Sequence, residues 1–134
     1  MQKHPDDQKG FLSEQQHTVL GSILDQIIPA SSNFPTTSEL NLAEHIESIA
    51  ELFDHTKKLL SEGLEYIEAY SIQLHSNKFV DLSQEEKVAV VKQIESLRPK
   101  FFSTLVTQTY AGYYTNSKVL KAKGILQHPP QPQG

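Results

Sequence analysis

The sequence predicts an all-α domain, an irregular bundle of four or five helices. Three observations carry that expectation. Apolar residues recur at spacings of three and four in successive segments. No segment alternates with the two-residue period of a strand over a useful length. Serine capping patterns and prolines bracket the periodic segments where helices should start and stop. At 134 residues the chain is one domain, and its 37% hydrophobic content implies a small core with wet surfaces.

Residues 1–10, MQKHPDDQKG, are polar, contain Pro5 and Gly10, and read as a mobile arm ahead of a helical domain over 11–123. Phe11 and Leu12 precede Ser13 and Gln16, a capping box with apolar residues placed to staple the first turn. The first helix then buries Leu20, Ile23, Leu24, Ile27 and Ile28, and Pro29 stops it. ASSNFPTT, residues 30–37, is a loop of turn formers. Ser38 or Asn41 caps the second helix, whose apolar stripe is Leu42, Ile46, Ile49, Ala50 and Phe53.

The third helix is expected from about Lys57, with Leu60, Leu64, Ile67 and Leu74 inward and Tyr66 and Tyr70 on a neighbouring stripe. Ser76 and Asn77 end it. Phe79, Val80 and Leu82 form an apolar loop that tucks into the core. Ser83 and Glu86 make a second capping box. The fourth helix runs to about Ser96 and buries Val90, Val91, Ile94 and Leu97. Pro99 suits the first turn of the fifth helix. Lys118 to Lys123 is a basic piece long enough for one or two turns, and Gly124 ends it. In the tail, residues 124–134, three prolines in the last seven residues favour extended polyproline-like chain.

Composition excludes several chemistries. There are no cysteines, so disulfides, thiolate catalysis and Cys-ligated zinc or iron–sulfur sites are ruled out. A formal charge of −4 with no clustered basic face argues against nucleic acid. No run approaches the roughly 20 apolar residues of a membrane span, and residues 1–12 carry no hydrophobic signal core. Six histidines raise a metal hypothesis, but a ferritin-like site needs two Glu-x-x-His motifs, and only Glu14 and His17 match. Glu47, Glu51 and His55 share one helix face and read as a solvated acidic face; Glu62, Glu65 and Glu68 form a similar edge. No Gly-x-Ser-x-Gly elbow and no phosphate-cradling glycine loop occurs. The residues therefore point to no catalytic group, no metal and no cofactor on this chain, and to a helical protein whose function is contact.

The place for that contact is the fifth helix, FFSTLVTQTYAGYYTN over 101–116, which holds five of the eleven aromatic residues. Phe101, Phe102, Leu105 and Val106 are expected in the core. Tyr110, Tyr113 and Tyr114 are expected to carry their rings onto a partner with their hydroxyls still wet. Gly112 lacks a side chain and leaves room for another backbone. The competing reading has the same tyrosines closing the end of the bundle.

The same helix resembles the gluconate 2-dehydrogenase subunit 3 family in Phe101, Phe102, Leu105, Thr109, Gly112, Tyr113 and Tyr114. The opening segment is similar to that family's start: Phe11, Leu12, Ser13, Gln16, Leu20, Ile23, Asp25, Ile27, Ile28 and Pro29. Gly63, Leu64, Phe79, Leu82, Ser83 and Glu86 resemble its central elements, in the family's order. The resemblance implies a small non-catalytic subunit that binds a large flavoprotein dehydrogenase of sugars or sugar acids, with a cytochrome c subunit alongside. FAD and haem then sit on the partner subunits, and this chain assists maturation, export or stability. It also implies a periplasmic or exported location, although the twin-arginine signal common in the family is absent from this sequence, which leaves a cytoplasmic location open. A free-standing helical ligand-binding or regulatory module is the alternative that the residues leave open.

Overall fold

The computed structural model describes residues 10–124. Among them it has six α-helices and no strand: α1 (Glu14–Ile27), α2 (Leu42–Ala50), α3 (Asp54–His75), α4 (Gln84–Leu97), α5 (Pro99–Tyr114) and α6 (Ser117–Ala122). The all-α expectation holds, with more helices than the four or five expected. The basic piece after residue 116 forms a helix of its own, capped by the Asn116 side chain, which accepts from the Lys118 N–H at 2.9 Å. The rest of the expected arm and tail, residues 1–9 and 125–134, lies outside the described residues.

Both serine capping boxes form. Ser13 Oγ accepts from the Gln16 N–H at 3.1 Å, and Gln16 Oε1 accepts from the Ser13 N–H at 2.9 Å. Ser83 and Glu86 repeat the exchange at 3.2 and 2.9 Å. The backbone N–H of Ser83 is the main reason the Glu86 carboxyl ionises below its usual value. Asn41 precedes α2 in the left-handed conformation (φ 52°), which asparagine tolerates, and it caps with backbone alone.

Helices α3 and α5 are central. α3 packs on α1, α2, α4 and α5, while α5 reaches α1, α2, α3, α4 and α6. Phe79 sits on a short 3₁₀ turn (Phe79–Asp81) and is fully buried with Leu20, Ile23, Leu64, Ile67 and Ile94, so the apolar loop tucks in as expected. Where α3 crosses α5, Gly63 faces the Phe101 ring so closely that a Cβ would overlap it. The absent side chain lets that ring occupy the crossing.

Several expected core residues lie outside. Phe53 extends the α2 stripe on paper but adopts an extended backbone as the cap of α3, and its ring is exposed. That cap also starts α3 at Asp54, three residues before the expected Lys57. Leu74 and Leu97 occupy the last turns of α3 and α4 and are exposed, as is Ile72. Phe102 is half-buried rather than core.

Glu47 departs most from expectation. Its spacing with Glu51 and His55 predicts a solvated face, yet it is only 6% exposed. Its carboxylate accepts from the Leu12 N–H at 2.8 Å and lies 3.4 Å from His17 Nε2. A buried carboxylate requires such partners. Gly10, the last residue of the expected arm, lies against the same carboxylate, where a Cβ would collide with it.

Candidate functional site

The end of α5 makes a site with the turn that follows α1. A groove of about 500 Å³ is lined by Ile27, Ile28 and Pro29, by Ser31 and Phe34 of the loop, by Tyr110, Tyr113 and Tyr114, and by Lys123. Each wall has a local cause. Pro29 halts α1 and turns the chain outward. Ser31 and Phe34 pair in an isolated bridge that folds the loop on itself. Asn116 breaks α5 from α6, and the turn brings Lys123 back to within 5.1 Å of the Tyr114 ring centre.

The four residues expected to meet a partner divide into two pairs. Tyr110 and Tyr114 are each 44% exposed and stack on one another, with ring centres 5.9 Å apart. Tyr113 corrects the expectation of a wet hydroxyl: it is 3% exposed, and its hydroxyl donates to the Pro35 carbonyl at 2.7 Å. Burial pushes its pKa above the usual tyrosine value, with smaller contributions from Tyr114 and Glu39. Its ring meets Tyr114 edge-on at 5.0 Å. Gly112 also serves the fold. A Cβ there would lie 2.8 Å from Leu42 Cδ1 and 3.0 Å from His45 Cδ2, so the room it leaves is taken by side chains of α2.

Sequence reasoning missed a second surface, where α4 passes into α5. The Arg98 guanidinium lies 3.3 Å from the Tyr66 ring centre. It borders a groove of about 660 Å³ lined by Leu59, Tyr66, Leu97, Pro99 and Phe101, with Glu62 and Lys100 also on its walls. The available signal was weak: an arginine between two helices, and a Tyr66–Tyr70 stripe one step off the core face of α3.

His17 pairs with Glu47, and His75 Nδ1 lies 3.7 Å from Glu86 Oε2. No three His, Asp or Glu side chains among the described residues converge on one point. Two buried hydroxyls are satisfied within their own helices: Ser71 donates to the Ile67 carbonyl and Thr109 to that of Leu105. No described helix is long and apolar enough to cross a membrane.

The sequence profile of the gluconate 2-dehydrogenase subunit 3 family matches residues 14–128. The chain belongs to that family. The match spans all six helices, both capping-box helices and the tyrosine groove. The family is named for a subunit of gluconate 2-dehydrogenase. Neither the curated proteins nor the solved structures compared with the chain give a match.

Proposed function

We propose that this protein is a non-catalytic small subunit that binds a large FAD-dependent dehydrogenase of sugars or sugar acids and assists its maturation, export or stability. Family membership supports the oxidoreductase complex. FAD and haem belong on the partner subunits in this reading, a cytochrome c subunit among them, and the assembly is exported to the periplasm. One observation carries the contact role. Tyr110 and Tyr114 present two stacked, half-exposed rings beside a groove at one end of the bundle. Large rings with polar tips are the side chains that dominate interface energetics.

The test is Tyr114→Ala, read twice. The melting temperature should stay nearly unchanged, because the ring lies outside the core. Co-purification of a flavin-bearing chain from the native host, followed by flavin absorbance and mass identification, should be lost. Retained association would move the docking surface to the Leu97–Arg98 groove. A large loss of melting temperature would return Tyr114 to the core.

A further inference from the structure

We propose that the groove where α4 passes into α5 binds an amphiphilic monocarboxylate, with the carboxylate on Arg98 and the apolar body along the walls. An unanswered donor carries the inference. Arg98 lies over the Tyr66 ring, 3.3 Å from its centre, which fixes the guanidinium at the groove wall. Its Nε is closed off from solvent and has no hydrogen-bond partner, an arrangement that calls for an acceptor. The ion pairs among the described residues are those of His17 with Glu47 and His75 with Glu86, and neither neutralises Arg98. A carboxylate meets a guanidinium through two parallel bonds, and so supplies both an acceptor and a charge.

The charges around the groove select that head group. Arg98 and Lys100 stand against the carboxylate of Glu62, which leaves one positive charge in excess. That balance suits a monoanion better than a phosphate monoester, which carries about two charges at neutral pH. The start of α5 acts in the same sense. No side chain caps it and its first turn has no acidic residue, so the positive end of its dipole is not offset where Lys100 and Phe101 line the groove. The walls select the body. Leu59, Leu97, Pro99 and the Tyr66 and Phe101 rings are apolar, and the volume of about 660 Å³ is that of a small-molecule site, roughly 300–1,000 Å³. Leu97 and Tyr66 are both exposed in the free chain, so an apolar body laid on them is removed from water together with them.

This inference is separate from the flavoprotein reading, and its test uses the full chain alone. Octanoate, kept below its micelle-forming concentration, is titrated into the nitrogen-15-labelled protein. Backbone amide signals of Glu62, Tyr66, Lys100 and Phe101 should shift saturably, and those of Tyr110 and Tyr114 should stay in place. 1-Octanol and octyltrimethylammonium should bind about tenfold more weakly, since neither offers an anionic acceptor, and octyl phosphate should bind no tighter than octanoate. Arg98→Gln should bring octanoate down to the level of octanol without changing octanol itself. Arg98→Lys should lose several-fold, because a point charge replaces the fork. Leu97→Glu places a negative charge at an exposed position of the groove and should abolish octanoate binding, which covers the case of an Arg98 variant that fails to fold. Equal binding of octanoate and octanol would overturn the proposal, as would octanoate affinity intact in Arg98→Gln or Leu97→Glu, or tighter binding of octyl phosphate. Signal broadening at the groove that grows with protein concentration and is unmoved by octanoate would assign the groove to a second copy of the chain, and would also overturn it.

Discussion

Two rows of side chains run along α5 at four-residue steps, and they end in different places. Phe101, Leu105, Thr109 and Tyr113 form a row that is buried from one end of the helix to the other. Phe102, Val106, Tyr110 and Tyr114 form the adjacent row, half-buried over its first two residues and exposed over its last two. Neighbouring residues of a helix point about 100° apart, so Tyr113 and Tyr114 have opposite duties although they are joined by one peptide bond. The sequence reading divided this helix by its ends, phenylalanines inside and tyrosines outside. The structure divides it by rows.

The two rows should differ most at their first residues. Phe101→Ala empties a ring from the α3–α5 crossing and should cost about 3–5 kcal/mol, a large part of a domain's stability. Phe102→Ala should cost only about 1–2 kcal/mol, since part of its ring already meets water. Denaturant unfolding of both variants checks the contrast, and equal losses would dissolve the two-row description. Next comes Gly63→Ala, which drives a methyl into the Phe101 ring and should destabilise by about 1–3 kcal/mol despite alanine's better helix propensity.

Tyr113→Phe is smaller. It leaves the Pro35 carbonyl without its donor and should cost about 1 kcal/mol. It also has a pH signature. Tyr113 has a folded pKa raised above its unfolded value of 10.0. Burial of the neutral phenol therefore stabilises fully below that pH, and the contribution is lost as pH rises through the raised value. Wild type should lose melting temperature more steeply than Tyr113→Phe in alkaline buffer, and parallel curves would contradict the buried phenol. Tyr114→Ala should have the least effect on stability, within about 0.5 kcal/mol, with its consequence appearing in association instead.

Much of this architecture was legible because it is local. Ser13 with Gln16 and Ser83 with Glu86 marked two helix starts through bonds made within three residues, and Pro29 and Pro99 marked a stop and a start. The four-residue steps from Phe101 to Tyr113 carry the division of α5, but ring content alone does not show which of two adjacent rows faces inward. What stayed hidden depends on distant partners. Glu47 reads as one of several surface acids until the Leu12 N–H arrives from 35 residues away. Gly112 reads as open space until Leu42 and His45 fill it. Leu74 and Leu97 follow the right periodicity, yet they occupy the last turns of their helices, where no neighbouring element covers them. The Arg98–Tyr66 stack joins α3 to the junction of α4 and α5, a pairing no local rule announces.

The bond from the Leu12 N–H to Glu47 has a practical consequence for anyone labelling or fusing this protein. It clamps the chain just ahead of α1 onto α2 and sets a fixed departure point near residue 10. Distances measured from a reporter attached ahead of that point would be referenced through it to the bundle. A protease site engineered for removing a tag would be best placed before Gly10, because cleavage at or beyond Leu12 would release the clamp along with the tag.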